Sequence, residues 1–562
     1  MISIRPRARD LRRPVLAALV AAATVALIAC GSESDDPAAT SGASPTETPT
    51  TAPDPTATPT TSAPTATPTS AAEETETPAS DGSQQLKIRQ YNEPASLDPA
   101  YLFRVETENV AFQIYSGLTT FNADGEILPD LAESWELSDD GTSYTFDLVE
   151  DAEWQAGYGE LTAEDVKWSY DRVLDQENGS PYRAEFSNVE SVEAPDDGTV
   201  VINMADPDTN FLYQVSSYHQ GQIVKKEAVE EHGEQYMRNP VGTGPYEMID
   251  WVPNSQMTLR AHDGYYKGEA SIKELRYILI QDEQAAEAAL VNQEVDVAMR
   301  HNSNEAVGRL MDNPDITVHR QPNYGAVVWM LNPDQVEAFG DRKVRQAWAH
   351  AIDDEMIINE LSPYTSTVAH NIIPSWMPVY EDDVPTYPYD PGKARDLLAE
   401  AGYEDGFSVK AVTTGVDEAD QTRQAMLADV GIDLQFEIAE PAIYNQRRQN
   451  GDFEVAGRLY PAVNPDTVLF GYLHPDNAAP NGLNGVKYDN PEMTELLEAA
   501  RAETDPEAKQ ELYSEIQVMA MTELPYVPYA AGSSNWGAWN YVEGIEINGL
   551  GQVPFYPVTM DR

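Results

Sequence analysis

The sequence Asn239-Pro-Val-Gly-Thr-Gly-Pro-Tyr246 carries two prolines and two glycines within eight residues, which predicts a tightly constrained turn. It is not a phosphate-binding loop, because no Gly-Lys-Ser/Thr sequence follows and the strand-then-helix context is missing. Strand-like segments follow at 257–261 and 275–281, and a helical segment follows at 284–292. The turn therefore leads into a region in which strands and a helix alternate.

The same alternation extends in both directions along the chain. Alternating apolar and polar residues predict strands, and capping residues followed by apolar residues at helical spacing predict helices. Predicted strands lie at 86–91, 144–148, 200–204, 324–332, 434–438 and 524–529, and predicted helices follow the capping residues Thr162, Asp341, Asp390, Asn490 and Asp505. Strands and helices are interleaved throughout, which is typical of the α/β class.

The first 29 residues have the pattern of an export signal. Five arginines precede an apolar run of fifteen residues, 15–29, which only Thr24 interrupts. This run is too short for a membrane-spanning helix, which needs about 20 residues, but it suits a signal peptide. The run ends in Leu27-Ile-Ala-Cys30, followed by Gly31, and this ending resembles the lipobox of bacterial lipoproteins. The resemblance implies that Cys30 receives diacylglycerol and anchors the mature chain to the membrane.

Residues 30–84 are predicted to form a disordered tether. They contain almost no large apolar residue and many prolines and threonines, so they cannot bury enough surface to fold. Pro-rich chain extends by about 3.1 Å per residue, so the tether reaches up to about 150 Å. Globular sequence begins at Leu86, and the 478 residues after residue 84 are too many for a single hydrophobic core. We expect two or three domains.

The charge balance argues against nucleic acid as a partner. The chain has 94 acidic and 35 basic residues, for a net charge of −59. Removal of residues 1–29 takes away five arginines and one aspartate, which brings the net charge to −63. Binding to nucleic acid phosphates requires clustered lysine and arginine. A chain this acidic is therefore not expected to bind DNA or RNA.

The sequence also lacks the usual catalytic and metal-binding patterns. No HExxH, GxSxG or SxxK motif occurs, and because Cys30 is the only cysteine, an internal disulfide and a thiol nucleophile are excluded. The eight histidines are scattered without the spacing of metal ligands. We therefore expect no enzymatic activity, no cofactor and no metal site, and a secreted surface hydrolase is the less favoured alternative.

Seven short segments have a recognisable order along the chain. They are Ser96-Leu-Asp-Pro99; Leu128-Pro-Asp-Leu-Ala-Glu-Ser-Trp135; Leu161-Thr-Ala-Glu-Asp-Val166; Gly242-Thr-Gly-Pro-Tyr246 with Trp251 and Tyr265-Tyr266; Val344-Arg-Gln-Ala347 with Ala351-Ile-Asp353; Tyr389-Asp-Pro-Gly-Lys-Ala394 with Ala399-Glu-Ala-Gly-Tyr403; and Gly451-Asp-Phe-Glu454. Together they resemble the bacterial extracellular solute-binding proteins of family 5, the peptide- and nickel-type binding proteins of ABC importers. Their joint occurrence behind a lipobox carries this resemblance.

The resemblance implies a two-lobed periplasmic-binding-protein fold of type II, similar to cluster C, with an extra domain inserted in the first lobe. Two crossing segments, near 324–332 and 524–529, would join the lobes, and their closure would enclose the ligand. The implied domain bounds are 85–124, 232–327 and 531–562 for a discontinuous domain I, 125–231 for domain II and 328–530 for domain III.

The implied function is capture of a peptide or peptide-like solute and its delivery to the permease and ATPase subunits of an ABC importer. The protein would act as a monomer, lipid-anchored to the outer face of the cytoplasmic membrane. Two alternatives stay open within the family: a non-peptide anionic solute, or a metal chelate held by arginine and aromatic residues. A sensory binder that feeds a receptor is also compatible with the sequence.

One segment departs from the pattern of the peptide-binding relatives. In those relatives a stretch "gdfDva…W..DY.dP" lines the cleft, and its aspartate pairs with the α-amine of the peptide. Aligned without gaps, this chain has Tyr460 at the aromatic position and Val463 at the aspartate position, whereas a gapped alignment places Arg458 and Pro461 there. Neither alignment offers a carboxylate, and a desolvated ammonium without a counter-charge is costly. Recognition of a free amine in the usual way is therefore not expected.

Arg458 instead indicates an anionic group on the ligand, unless it is a solvated surface residue. Aromatic faces supply apolar area with few rotatable bonds, which makes Tyr324, Trp329 and Tyr460 the predicted walls of the cleft. The predicted ligand-binding residues are Phe103, Arg104, Val105, Tyr324, Trp329, Arg458, Tyr460 and Val463. The first three correspond to the segment that contacts the start of the ligand in the relatives.

Overall fold

The structure, a computed structural model, describes residues 85–101, 105–460, 464–480 and 482–562. For residues 105–106, 322–324 and 459–460 only the backbone is described here. The predicted signal peptide, the lipidated cysteine and the tether lie outside these ranges, so they stay predictions.

The described residues form strands and helices that alternate along the chain. The strands are β1 Gln85–Gln90, β2 Thr119–Phe121, β3 Ile127–Pro129, β4 Ala132–Leu137, β5 Ser143–Leu148, β6 Val189–Asp196, β7 Thr199–Met204, β8 Tyr246–Val252, β9 Gln256–Ala261, β10 Glu274–Leu279, β11 Val297–Ala298, β12 Ile316–Leu331, β13 Ser366–Thr367, β14 Phe407–Thr413, β15 Ile432–Ile438, β16 Val455–Tyr460, β17 Tyr526–Trp539, β18 Val542–Glu543 and β19 Thr559–Met560. The helices are α1 Val105–Ile114, α2 Ala163–Leu174, α3 Phe211–Gln214, α4 Lys226–His232, α5 Glu283–Val291, α6 Asn304–Met311, α7 Arg342–Ala351, α8 Asp354–Leu361, α9 Pro391–Glu400, α10 Glu418–Asp429, α11 Pro441–Asn450, α12 Pro465–Leu473, α13 Pro491–Ala502 and α14 Pro506–Glu523. In the described part of the chain, no helix is both long and apolar enough to cross a membrane.

One large mixed sheet organises the fold. Its strand order is β15-β14-β16-β12-β17-β11-β1-β10-β9-β8, with β13 beside β17. The long strands β12 and β17 pair antiparallel at its centre, and their register shifts between Gln321 and Gly325 and again between Val327 and Val328. A separate four-stranded antiparallel sheet has the order β4-β5-β7-β6. The central pair is therefore continuous but locally irregular.

Two apolar clusters form the main cores, and β17 contributes to both of them. Its first residues, Tyr526 and Val527, are buried in the cluster that also holds Trp329 and Trp348. Its later residue Trp536 is buried in the cluster that contains most apolar residues of the first half of the chain. The strand therefore passes from one core to the other, as a segment that joins two lobes must do.

The predicted strand at 524–529 is wrong in its bounds. Leu524 is not a strand residue, because it caps the C-terminus of α14 in a left-handed conformation with φ of 49°. The strand begins at Tyr526 and continues to Trp539, well beyond the predicted end. The predicted strand at 324–332 is likewise only the second half of β12. The apolar residues at 324–332 and 524–529 indicated the part of each strand that lies in the core with Trp329, and the rest of each strand was missed.

Several predicted helix starts are confirmed. Thr162 and Asp165 form the reciprocal capping box at the start of α2, which satisfies amides that the first turn leaves without intrahelical partners. The side chains of Asp341, Asp390 and Asp505 likewise accept hydrogen bonds from backbone amides in the first turns of α7, α9 and α14. Local sequence is sufficient at these positions because capping is a short-range interaction.

The glycine- and proline-rich turn is held against the end of α1 by one buried side chain. The amide nitrogen of Gln155 donates to the carbonyls of Ile114 at 2.8 Å, Gly244 at 3.1 Å and Tyr246 at 2.8 Å. Its amide oxygen accepts from the backbone nitrogen of Gly242 at 3.0 Å. Gln155 is 1% exposed, so these bonds are shielded from water and fix the turn that precedes β8.

Candidate ligand-binding cleft

A cavity of about 940 Å³ lies along the second half of β12 and the start of β17. Its wall is built from α6, β12, α8, β13, β14, α10, β15, α11, β16 and β17, together with the loops that precede α6 and α10. The volume is at the upper end of the range for small-molecule sites, about 300–1,000 Å³. A ligand of several residues would fit in such a space.

The floor of this cavity is aromatic. Trp329 of β12 and Tyr529 of β17 stack with ring centroids 5.0 Å apart and an interplanar angle of 27°. The indole of Trp348 meets Trp329 edge-on at 5.8 Å. Strand pairing fixes this arrangement, because Trp329 lies opposite Val527 in the register of β12 and β17. Trp329, which the sequence analysis assigned to the wall of the cleft, lines this cavity, and its contact with a ligand stays a prediction.

One wall of the cavity is basic. Arg458 of β16 lies opposite Val328 of β12, and Arg448 of α11 lies with its guanidinium 5.8 Å from the ring centroid of Tyr444. The hydroxyl of Tyr444 donates to the carbonyl of Gly457, which ties α11 to β16. Burial raises the pKa of Tyr444, and Arg448 and Arg458 both oppose that rise. Both cations are thus close enough to the phenol to affect its ionisation.

A third arginine lies at the back of the cavity in a buried ion pair. Arg423 of α10 donates from Nε to Oδ1 of Asp354 at 2.9 Å, and its guanidinium lies 4.6 Å from the ring centroid of Tyr529. The side chains of Arg423 and Asp354 are 7% and 16% exposed. Burial raises the pKa of Asp354 to about 6, against the opposing effect of Arg423. This pair anchors α8 to α10 behind the aromatic floor.

Carboxylates also line the cavity, at positions that the sequence comparison did not reach. They are Glu305, Glu360, Asp417, Glu418 and Asp420. Asp417 and Asp420 form the capping box of α10, so part of their hydrogen-bonding capacity is already used within the chain. The sequence analysis found no carboxylate at the aligned amine-binding positions, and the carboxylates of the cavity lie at other positions.

The structure brings together two of the predicted site residues, Trp329 and Arg458. Tyr324, Tyr460 and Val105 lie in β12, β16 and α1, where only the backbone is described. Phe103, Arg104 and Val463 lie outside the described residues, as does Cys30. Their roles in the cleft stay predictions.

Among the cavity residues that sequence reasoning missed are Arg423, Tyr444, Arg448 and Tyr529. The sequence could have indicated Tyr529, because this residue ends the predicted crossing segment. Arg423 offered a weak signal, since it falls four residues before the buried Leu427 on the same helical face. Arg448 and Tyr444 lie in a polar helix that carries no apolar stripe, and nothing in their local sequence indicates a cavity.

No group of three or more histidine, cysteine, aspartate or glutamate side chains that could hold a metal ion occurs among the described residues. The absence of a metal site stays a prediction from the sequence.

Comparison with known proteins identifies the class. Residues 126–481 match the family described as bacterial extracellular solute-binding proteins, family 5, middle. Heme-binding protein A of Haemophilus influenzae is 27% identical over 500 residues, which cover 83% of this chain and 91% of that protein. The dipeptide-binding protein of Escherichia coli is 28% identical over 480 residues, which cover 80% of this chain and 89% of that protein.

Solved structures agree with this match. HbpA2 from Haemophilus parasuis superposes with a TM-score of 0.77 at 26% identity, covering 85% of this chain and 100% of that chain. The ABC transporter-associated periplasmic binding protein DppA from Helicobacter pylori, in complex with the peptide STSA, superposes with a TM-score of 0.71 at 27% identity, covering 85% and 98%. The predicted α/β, two-lobed type II fold is therefore confirmed.

The fold and cleft define a substrate-binding protein of the two-lobed periplasmic class. The chain belongs to the bacterial extracellular solute-binding proteins of family 5. It is thus a substrate-binding protein of ABC importers for peptides or related solutes, and the relatives named here are binding or substrate-transport proteins rather than enzymes.

Proposed function

We propose that the protein is a lipid-anchored receptor that captures a peptide-like solute carrying an anionic group, and that the 940 Å³ cavity is its binding cleft. The observation that carries the proposal is the basic wall, where Arg448 and Arg458 flank Tyr444 in a chain of net charge −59. Arginine presents a rigid, permanently charged fork that matches carboxylate geometry. The protein would act as a monomer and would deliver the solute to the permease and ATPase subunits of an ABC importer.

The domain division proposed from the sequence is compatible with the lining of the cavity. Asn302, Asn304 and Glu305 would come from domain I and most other lining residues from domain III. The parts of β12 and β17 near residues 328 and 530, where the proposed domains meet, would then absorb the rotation that closes the lobes over the ligand.

The relatives support both a peptide and a non-peptide acid as ligand. DppA from Helicobacter pylori was solved with a peptide, and MoaA from Agrobacterium tumefaciens, 27% identical with a TM-score of 0.70, was solved with mannopinic acid. Because the basic wall recognises an anionic group in either case, both ligand types fit the same proposal.

Arg458→Ala is expected to weaken the binding of a carboxylate-bearing probe by roughly 10- to 150-fold, because a charge-assisted hydrogen bond contributes about 1.5–3 kcal/mol. Suitable probes are the tripeptide N-acetyl-Ala-Lys-Ala and its C-terminal amide, measured by isothermal titration calorimetry. Wild-type protein should prefer the free carboxylate, and the variant should lose that preference. The acetyl group should not prevent binding, since the aligned amine-binding positions provide no carboxylate.

Arg447→Ala is the matched control, because Arg447 lies on the same helix as Arg448 and pairs with the exposed Glu437 outside the cavity. Its affinity for both probes should equal that of the wild type. If binding required a free amine and were insensitive to Arg458→Ala, the protein would recognise peptides by their free amine, and the proposed anionic recognition would be wrong. Native mass spectrometry of the purified protein would identify whatever solute is retained from the cell.

Cys30→Ser is expected to release the protein from the membrane fraction and to prevent cleavage before residue 30. The prediction rests on the lipobox-like ending of the leader, because thioether attachment of diacylglycerol requires the cysteine thiol. Fractionation and mass spectrometry of the mature N-terminus measure both effects. A variant that stays membrane-bound and is processed at the same site would rule out the lipid anchor.

A further inference from the structure

A second cavity, of about 570 Å³, adjoins the first one behind its aromatic floor. Trp329 and Tyr529 line both cavities, so the stacked pair lies in the wall that they share. The ion pair described above lies in the same wall, since Arg423 lines the first cavity and Asp354 the second. The two spaces are therefore adjacent along this shared wall.

Aromatic residues dominate the second cavity. They are Trp329, Trp348, Tyr380, Tyr387, Tyr389 and Tyr529. Apolar residues close its base, among them Ile352, Met521 and Val527. The hydroxyl of Tyr387 donates to the carbonyl of Met521 at 2.7 Å, which fixes the position of its ring. The walls are thus rigid and rich in π-faces.

The two cavities differ in whether arginine lines them. Among the described residues that line the second cavity there is no lysine or arginine, whereas three arginines line the first. Four carboxylates line the second cavity: Asp353, Asp354, Glu355 and Asp382. Asp354 is neutralised by Arg423 and Asp353 caps α8, which leaves Glu355 and Asp382, both exposed, as acidic groups at the rim.

Two buried hydrogen-bond donors lie at the boundary between the cavities. The indole N–H groups of Trp329 and Trp348, at 4% and 0% exposure, have no hydrogen-bond acceptor within the described structure. A buried unsatisfied N–H is costly, so an occupant that presents a carbonyl or hydroxyl oxygen would be favoured here.

We propose that the second cavity is a subsite for a cationic side chain of the captured solute, an alkylammonium or guanidinium group enclosed by aromatic rings with carboxylates at the entrance. A cation over aromatic faces gains electrostatic energy that increases when it is desolvated. The carbonyl next to that side chain can accept from an indole N–H. The inference rests on the proposed function, and it makes the preferred solute dipolar, with its anion at Arg448 and Arg458 and its cation behind the Trp329–Tyr529 pair.

The test compares N-acetyl-Ala-Lys-Ala with N-acetyl-Ala-norleucine-Ala, which differ in the ammonium group of the central side chain. Wild-type protein should bind the lysine probe about 2- to 30-fold more tightly, the range expected for a cation–π contact. The double variant Glu355→Gln/Asp382→Asn should reduce this preference without weakening the norleucine probe. The control Glu404→Gln/Asp405→Asn removes the same two charges from an exposed loop outside both cavities and should leave the preference unchanged.

The outcomes separate this inference from the proposed function. Equal affinity for the two probes, or tighter binding of norleucine, would overturn the cationic subsite even if Arg458→Ala still weakens both probes as proposed for the first cavity. An equal loss of preference in the control variant would assign the effect to the net charge of the protein and would also overturn it. If neither probe binds, the subsite and the peptide-like solute both fail.

Discussion

Gly242→Ala is expected to destabilise the folded protein by about 3 kcal/mol, the upper end of the usual cost of overpacking. A Cβ atom at this position would overlap the carbonyl oxygen of Ile114 and would lie only 2.8 Å from its carbonyl carbon. That carbonyl cannot move aside freely, because it accepts hydrogen bonds from Gly244 N and from Gln155 Nε2, both at 2.8 Å. The added methyl group would therefore clash with a backbone carbonyl that two hydrogen bonds hold in place.

The measurement is the thermal unfolding midpoint of the full chain, followed by circular dichroism without ligand. Gly340→Ala is the control, because a Cβ at Gly340 meets no atom within 4 Å. The control should unfold close to the wild-type midpoint, while Gly242→Ala should unfold well below it. Equal midpoints for the two variants would show that the turn tolerates a side chain and that its role in fixing the fold has been overstated.

This turn illustrates how far the sequence alone could lead. Its glycines and prolines predicted a constrained backbone, and the capping residues predicted helix starts, because both features depend on neighbours within a few residues. The partner that holds the turn, Gln155, lies 87 residues away from Gly242 and has no local signature. The segment resemblance supplied the two-lobed fold as a whole, which periodicity could not have done.

The residues of the cleft likewise include some that the sequence could indicate and others that it could not. Trp329 and Arg458 could be assigned because they fall in an apolar strand and in an aligned motif. Arg423 could not, because its meaning depends on Asp354, 69 residues earlier in the chain, and on Tyr529 of another strand. The acidic and aromatic lining of the second cavity is likewise assembled from segments between residues 329 and 529. Only the fold brings these residues to one place.

The second large effect is expected from Arg423→Met, which should destabilise the protein by about 2 kcal/mol at about pH 7.5. The substitution removes the cation of the buried pair and leaves Asp354 with no counter-charge from α10. Methionine preserves much of the apolar stem against Tyr529, so most of the loss should come from the uncompensated carboxylate and not from a cavity. A double variant and a change of pH can isolate that cause.

The pH dependence follows from the pKa of Asp354, which burial raises to about 6 from an ordinary value of 3.8. Because the folded state holds this proton more tightly than the unfolded state, the carboxyl contributes stability that decreases as pH rises from about 4 to about 6. Removal of Arg423, which opposes the rise, should move the folded pKa still higher. The deficit of Arg423→Met relative to wild type should therefore be small at about pH 5, where Asp354 is largely neutral. It should grow by about 1.4 kcal/mol per pH unit above pH 6, to about 2 kcal/mol at about pH 7.5.

Asp354→Asn/Arg423→Met is the decisive comparison, because it removes both charges and leaves a neutral amide at the buried site. The double variant should recover most of the stability lost by Arg423→Met at about pH 7.5. Its midpoint should rise relative to wild type between about pH 5 and about pH 7.5, because only the wild type loses the contribution of Asp354 over that range. Thermal midpoints of the wild type and the two variants at both pH values, without ligand, provide the measurement. If Arg423→Met is equally destabilised at the two pH values, or if the double variant is no more stable than the single one, the ion pair is not what holds α8 against α10. The wall that the two cavities share would then depend on the stacking of Trp329 with Tyr529 alone.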